Sequence, residues 1–571
     1  MIKISLKIIL VLILNKMCGI WAYFLKKGSE NDTNIDIDLL FSKFKTISGR
    51  GPDNLNFNYY KNLFFLGFHR LSIMDTSSNG NQPFTYIFEN KTYICVCNGE
   101  IYNSEFLKEE VEKSYLNYEW VSSSDCEVLI PLYILYGHQM VNKLRGVFAI
   151  NITIIDSENN YSTFICRDRI GVRPLFIGHN FNNNSMGISS EAKGLIGIFN
   201  QISVFRPGCH VIYNNTIGIT EPYYTYYNYE YKLADKLIQD NRIEYVRESF
   251  IKAVEKRLIS DRPVCALLSG GLDSSLVCSV ASSLLKKNDI KLYTYSIGMK
   301  NSTDEIYAKK VAKFINSEHT VVNITNEQAL MAIKDVIWAT ETYDITTIRA
   351  STGQYLICKY IAENSNFKVV LSGDGSDEVA SGYIYNYLAP SEEALHQEAV
   401  KRVKEIHLYD GLRADRATSI HGLELRVPFL DSEFVDLYLS LDPKYRKPNE
   451  DQMEKHLLRS AFHDYLPEEV LWRKKEAFSD GISSEEESWH TIINNYIDKF
   501  ITNEEFDKNA SKFAHCTPKT KEAYFYRKIF DEFFGDNHCT LIPDYWMPNW
   551  SNVNDPSARE LKNLYKLNKK I

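Results

Sequence analysis

Two glycine-bearing loops carry the chemistry most directly read from this chain. Ser269-Gly270-Gly271-Leu272-Asp273-Ser274-Ser275 follows the apolar run Val264 to Leu268 and precedes Leu276-Val277-Cys278-Ser279-Val280, which reads as helix. A strand turning through two glycines into a helix N-terminus aims several backbone N–H groups at one point. The helix dipole adds partial positive charge there, so a phosphate or pyrophosphate suits it. The glycines permit backbone angles and close approach that a Cβ would block. The loop lacks the lysine of the G-x-x-x-x-G-K-[ST] pattern. A plain Gly-Ser turn would account for a shorter match, but not for this run in a strand–loop–helix setting. The second loop, Ser372-Gly373-Asp374-Gly375-Ser376-Asp377-Glu378, also follows an apolar strand. Glycines beside carboxylates suit a place where backbone meets phosphate and carboxylates hold Mg²⁺ or a cationic group. Arg349 lies in a hydroxyl-rich run, Thr342 to Ser351, where a buried ion pair is the plain alternative to a ligand contact.

Elements must place these loops together. Between Cys18 and about Pro207 the pattern is of short β segments: Cys18 to Leu25, Leu63 to Ile73, Thr92 to Cys97 and Val147 to Ile155. Ser124-Asp125-Cys126-Glu127 has capping-box spacing and predicts a helix over Val128 to Tyr136. Thr216 to Lys232 is rich in Tyr and Asn without clear period and reads as a connection. Ile243, Val246, Phe250, Val254 and Leu258 then recur at helical spacing. Beyond them strands and helices alternate: Val264–Leu268, Leu292–Ile297 and Lys368–Leu371 as strands, with helices after Ser274 and over Asp304–Ile315. That rhythm predicts a parallel sheet with helices on both faces, ligands binding beyond the strands' carboxyl ends. The loops at 269 and 372 and Ile297-Gly298 all fall at such ends.

The bulk properties exclude little. A chain of 571 residues has room for two or more cored domains. Its net charge of −8 gives no reason to expect nucleic acid. Eleven cysteines lie scattered without zinc-ligand spacing, which points to a reducing compartment and no structural metal. The first residues stand apart: Lys3 and Lys7 precede Ile8-Ile9-Leu10-Val11-Leu12-Ile13-Leu14. That run is too short to span a bilayer and lacks a small-residue cleavage site, so it gives only weak support to a secreted or membrane-bound form. A second methionine, Met17, directly precedes Cys18, and the reading adopted is a start codon placed upstream of the true one.

Taken in order, SGGLDSS, ETYDITTIRAS, the SGDGSDE loop, HGLELRVPFLD (His421 to Asp431), MEKHLLR (Met453 to Arg459) and KEAFSDG (Lys475 to Gly481) resemble successive blocks of glutamine-hydrolysing asparagine synthetases. The likeness runs from Met17 to Arg559. It implies that ATP adenylates the side-chain carboxylate of aspartate, and that ammonia attacks the mixed anhydride and releases AMP. It also implies an α/β plus α+β architecture. An N-terminal αββα-sandwich glutaminase is followed by a C-terminal parallel-sheet domain like those of ATP pyrophosphatases. The expected boundaries are an extension at 1–17 absent from the active protein, a glutamine amidotransferase type 2 domain at 18–210, a linker at 211–240, a synthetase domain at 241–540 and a tail at 541–571. Carried over residue by residue, Leu268, Ser269, Gly270, Gly271, Asp273, Ser274, Ile297, Ser372 and Gly373 bind ATP. Asp273 and Asp377 hold Mg²⁺, and Lys455 neutralises charge developing on the phosphoryl group. Asp374 stands where the family loop has Glu and is thought to help the attacking ammonia. It is one methylene short, a reach lower by about 1.5 Å.

The same resemblance assigns an ammonia source. Met17-Cys18-Gly19-Ile20-Trp21 is similar to the start of N-terminal-nucleophile amidotransferases. Removing Met17 gives Cys18 a free α-amine that can take its thiol proton. Arg70 is expected to pair with the glutamine α-carboxylate, for which a guanidinium fork is suited. Leu71, Ser72, Ile73 and Met74 are expected to line that site. Asn98 and Gly99 should form the oxyanion hole, with Glu100 nearby and Asp125 on the α-ammonium. Gly49-Arg50-Gly51-Pro52-Asp53 departs from the family's HRGPD by a glycine for histidine. Arg167-Asp168, Gly171 to Leu175 and Ser190 to Lys193 fall near the ammonia path. The partners implied are aspartate, glutamine and ATP, in the cytoplasm, with no nucleic acid and no membrane; a homodimer is left open. The competing readings are a related amidotransferase or β-lactam-type synthetase acting on another carboxylate, and a degenerate, non-catalytic relative.

Overall fold

The computed structural model describes residues 18–27, 35–60, 63–219, 223–299, 302–475, 483, 487–551, 553 and 555–556. The expected extension at 1–17, the KEAFSDG block after Lys475 and the tail from residue 557, Arg559 included, lie outside the described residues.

The N-terminal half is a sandwich of two antiparallel sheets. One runs Gln201–Val204, Phe176–Asn180, Ser185–Ser189, Gly19–Phe24, Phe64–Arg70, Asn54–Tyr60. The other runs Gly218–Ile219, Cys209–Asn214, Tyr161–Arg167, Gly146–Ile155, Lys91–Ile101, Phe84–Phe88, with Tyr224–Thr225 also paired to Cys209–Asn214. Successive strand residues point to opposite faces. Ile20, Ala22 and Phe24 therefore meet Ile94, Val96 and Ile165 between the sheets, while Trp21 and Tyr23 pack outward with Leu40 and Phe44 of helix Ile37–Lys45. Beyond the second sheet, Cys95, Cys97 and Phe164 pack on Leu107 and Val111 of helix Ser104–Glu112 and on Leu129 and Leu132 of helix Leu129–Tyr136. The layers are thus helix, sheet, sheet, helix. The second sheet continues past residue 210 into the Tyr- and Asn-rich stretch, where Tyr227 and Tyr229 face Asp436 and the Arg169 carbonyl.

The Ser124–Glu127 capping box does not form. Ser124 Oγ accepts from Cys126 N–H over a short 3₁₀ turn, Asp125–Val128, and the α-helix starts only at Leu129. The Glu127 carboxylate turns away to accept from Val121 and Ser122 N–H at 2.8 and 2.7 Å. Those amides lie in an extended stretch without ladder partners and outcompete the helix start.

In the C-terminal half a parallel sheet runs Glu318–Asn323, Tyr293–Gly298, Val264–Leu267, Val369–Leu371, Glu424–Arg426. The first two strands in sequence, Val264–Leu267 and Tyr293–Gly298, lead to one edge, and the chain then returns to lay Val369–Leu371 on the other side of Val264–Leu267. Loops leaving neighbouring strands at such a reversal diverge and leave a crevice. Both glycine loops leave from it. Two members of this sheet, Glu318–Asn323 and Glu424–Arg426, were not among the expected strands.

Candidate active sites

At the crevice, Gly270 adopts φ +77°, and the chain enters helix Leu272–Lys286 at once. Ser274 Oγ accepts from Ser269 N–H at 3.1 Å and contacts Ser269 Oγ at 3.0 Å, fixing the loop as a cradle. A Cβ on Gly373 would stand 2.6 Å from Ser274 N, so the two loops touch only because that side chain is absent. They open on a cavity of about 240 Å³ whose wall includes Leu268, Ser269, Gly271, Asp273, Ser274 and Ile297 on one side and Ser372 to Glu378 on the other. Gly270 alone of the expected nucleotide residues is missing from the wall; it makes the turn and packs against Ala308.

Lys455 is the hub of this cavity. It is 2% exposed, its Nζ lying 2.7 Å from both Asp273 oxygens and 2.5 Å from Asp377 Oδ1. Lys475 pairs with the other Asp377 oxygen. Burial alone would raise the Asp377 carboxyl, yet the two ammonium groups hold it well below the usual carboxylate range. These hard carboxylate oxygens, converging beside the phosphate cradle, are a donor set that fits Mg²⁺. Away from the cradle the wall includes Thr346, Ala350, Gln354, Tyr383, Asp410 and Arg413. Arg413 binds Asp410, Gln354 Oε1 and Asp374, each at 2.7 Å. Asp374 also accepts from Ser372 Oγ at 2.6 Å. The shorter side chain is therefore fully engaged, with Arg413 reaching to it. Arg349 is spent on a buried ion pair with Glu522 and Asp555 and lies outside the cavity wall.

In the sandwich, Cys18 stands directly before the strand Gly19–Phe24, its thiol 3.3 Å from Leu71 N and its carbonyl oxygen accepting from Arg50 Nε at 2.9 Å. Burial pushes the thiol up to about 12. Ser190 Oγ, which accepts from Ile20 N–H at 3.0 Å, lies 3.5 Å from Asn98 Nδ2, so the expected oxyanion donor and the nucleophile's strand share one corner. Arg70 also braces the loop that follows it. Its Nη groups donate to the carbonyls of Met74, Asp75 and Ser77 and to Asn81 Oδ1. All four Nη hydrogens hold the loop over the site, and Nε remains for a carboxylate. That loop is also pinned from the synthetase half, by Asp261 on Asp75 N–H and Arg262 on the Ser72 carbonyl. Neither residue had a sequence signal. Asp125 accepts from Ile101 N–H at 2.6 Å, and burial lifts its carboxyl to about 6. It is ionised above that pH and neutral below. The KM for glutamine is accordingly expected to rise about fivefold between pH 6 and 5, steady-state glutaminase assays being the check. A flat KM over that range would remove Asp125 from the ammonium contact.

Ten buried ionisable groups join the halves. Arg50, Arg173, Glu100, Glu191 and Lys193 come from the sandwich, and Glu341, Asp415, Arg416, Glu424 and Arg426 from the synthetase half. Arg50 Nη1 lies 2.9 Å from Glu191 and 2.8 Å from Asp415. Glu191 also takes Lys193 at 2.6 Å and Arg416 at 3.1 Å. Arg173 pairs with Glu424 at 2.8 Å and Arg426 with Glu100 at 3.1 Å. Cationic and carboxyl side chains are five of each, and burial with the nearby Glu424 pushes the Glu100 carboxyl well up. Helix Asp410–Ser419 contributes to both ends: Asp410 and Arg413 face the cavity, Asp415 and Arg416 face the sandwich. Next to it, a narrow cavity of about 10 Å³ is lined from Asp374 past Ala414 and Asp415 to Arg173. That is about the room one water or one ammonia molecule needs. At Gly49 a Cβ would stand 2.9 Å from Ile420 Cδ1, so the glycine admits the synthetase half's side chain. Glu191→Gln leaves three cations short of a partner and is expected to destabilise by about 3–5 kcal/mol, read from denaturant unfolding. A change below about 1 kcal/mol would show that the network is slack.

Comparison with known proteins agrees with this division. An asparagine synthase family model matches residues 245–393 and 386–554, and a glutamine amidotransferase domain model matches 17–227. The asparagine synthetase [glutamine-hydrolyzing] of Cricetulus griseus is 42% identical, covering 95% of this chain and 98% of its own length. Those of Homo sapiens and Gallus gallus are each 41% identical, covering 95% and 96% of this chain and 98% and 99% of their own. Among the described residues no helix is long and apolar enough to cross a membrane. With both catalytic halves present and the match running nearly end to end, the chain belongs to the glutamine-hydrolysing asparagine synthetase family.

Proposed function

We propose that this protein makes asparagine from aspartate, with ATP as activator and glutamine as nitrogen donor. A carboxylate is a poor electrophile until one oxygen becomes a leaving group. In this reading the aspartate side-chain carboxylate attacks the α-phosphorus of ATP, β-aspartyl-AMP forms and pyrophosphate leaves into the cradle of Ser269 to Ser274. Asp273 and Asp377 would hold Mg²⁺, which when bound supplies positive charge to the departing pyrophosphate. Lys455 neutralises charge on the phosphoryl oxygens. The wall away from the cradle suits an amino acid: Arg413 for its α-carboxylate, Glu378 and Asp410 for its α-ammonium. Ammonia reaches the acyl carbon beside Asp374, displaces AMP and gives the amide.

The glutaminase half supplies that ammonia. The Cys18 α-amine takes the thiol proton, the thiolate attacks the glutamine amide carbon, ammonia leaves, and water hydrolyses the thioester to glutamate. The observation carrying the proposal is the cavity that brings the cradle of Ser269 to Ser274, Lys455 and Asp374 together, in one chain with Cys18 and Asn98 at one corner of the sandwich. The test incubates protein beginning at Cys18 with ATP, Mg²⁺ and aspartate, with either glutamine or an ammonium salt. Asparagine and AMP from both donors, with glutamate only from the first, are expected. AMP release that needs another carboxylate and ignores aspartate would overturn the reading.

A further inference from the structure

The C-terminal stretch of residues 539–551, with Val553 and Asp555, straps the outside of the cavity wall away from the phosphate cradle. Tyr343 and Tyr409 hydroxyls donate to the carbonyls of Cys539 and Asp544, each at 2.9 Å, and Arg402 donates to the Met547 carbonyl at 2.7 Å. Asn549 Nδ2 donates to Glu398 at 3.1 Å, and Asp555 closes on Arg349. Trp546 is the centre of this strap and is 6% exposed. Its backbone N–H donates to Asp344 Oδ1 at 2.7 Å, and the other oxygen of Asp344 caps helix Ile345–Asn364, from which Thr346 and Ala350 line the cavity. One side of the Trp546 ring takes the Arg402 guanidinium at 4.7 Å, and the ring packs on Tyr383 with centroids 5.2 Å apart. Tyr383 is itself a wall residue. Its hydroxyl donates to Glu378 at 2.6 Å and lies 3.0 Å from Asp410 Oδ2.

We propose that Trp546 is a positioning residue for the acid-substrate end of the synthetase cavity, acting through the Tyr383 ring to hold Glu378 and Asp410 in register. The phosphate cradle is built by Ser269 to Ser274 and Ser372 to Gly375, whereas the strap hydrogen-bonds to Tyr343, Asp344, Glu398, Arg402 and Tyr409, so the effect is expected on the second substrate. The Tyr383 hydroxyl lies between the two carboxyl groups, 2.6 Å from Glu378 Oε1 and 3.0 Å from Asp410 Oδ2, and an aromatic ring fixed on one face by a larger ring keeps it there.

This inference rests on the aspartate reading above, so the test uses the Cys18-start protein with ammonium as donor. Trp546→Ala and Tyr383→Phe are each expected to raise the KM for aspartate about tenfold, the cost of one hydrogen bond to a charged group. The KM for ATP and the glutaminase rate should stay within about twofold of wild type, and Trp546→Phe should recover most of the loss. A KM for ATP that rises in step, a fall in kcat alone, or a Tyr383→Phe enzyme with wild-type aspartate KM would overturn it. Should Trp546→Ala fail to fold, Trp546→Phe and Tyr383→Phe decide. A wild-type enzyme that forms no asparagine would sink the parent reading, whereas normal synthesis with unaltered aspartate KM in the variants sinks this inference alone.

Discussion

Cys18→Ala is expected to cut asparagine formation from glutamine by about 10⁴-fold while leaving formation from ammonium salts within about twofold. The argument starts from the thiol. With burial pushing it up to about 12, roughly one molecule in 10⁵ holds a thiolate at pH 7, too few for a nucleophile without a base beside it. An α-amine on the same residue, with an ordinary pKa of about 8, is such a base. Two consequences follow. Alanine removes the attacking atom but none of the cradle or Lys455, so the ammonia route survives. Residues retained ahead of Cys18 turn the amine into an amide, which has no basicity, and should silence the glutamine route as fully as alanine does. Intact mass measured alongside glutaminase rate checks this, and an extended protein with full glutaminase activity would refute it.

Lys455→Met should lower synthesis from both donors by about 10³-fold, with the glutaminase rate unchanged. This lysine is buried, touches three oxygens of two carboxylates and stands at the cradle. Methionine keeps the length of the stem and removes only the charge. The Asp273 carboxylate then loses its ion partner, while Asp377 keeps Lys475. Lys455→Arg should rescue poorly, since a planar fork cannot replace a point charge sitting among three converging oxygens. Single-turnover AMP formation separates this from weaker nucleotide binding, and a variant that keeps its rate but needs more ATP would contradict the charge-neutralising role.

The loops at 269 and 372 were legible in the sequence because their geometry is local: a strand, glycines and a helix start lie within a few residues. The sandwich strands were legible for a similar reason, the β-branched and aromatic residues crowded into stretches such as Cys18 to Leu25. What escaped was non-local. Arg50 and Asp415 stand 365 residues apart, and nothing around either announces the other. Asp410, Arg413, Asp415 and Arg416 on one helix carried no signal of their own, yet all are buried or nearly so, because both halves close over them. The false capping box at Ser124 failed locally: the motif was present, but the amides of Val121 and Ser122, six and five residues upstream, claimed Glu127. Arg349 went the other way, its plain reading as a buried ion pair proving right.

The charge network between the halves has a thermal consequence. The free-energy cost of keeping ionised groups dry is greatest in the cold and falls on warming, because charge hydration carries a strongly negative entropy. Apolar contacts, such as the small cluster of Leu71, Ile73 and Val369 across the same boundary, also weaken on cooling. Elsewhere in the molecule these tendencies are diluted by large cores, but at the seam they add. Chilling therefore works first on the junction between the two catalytic halves, and a chilled enzyme should waste more glutamine per asparagine made before either half loses its own fold.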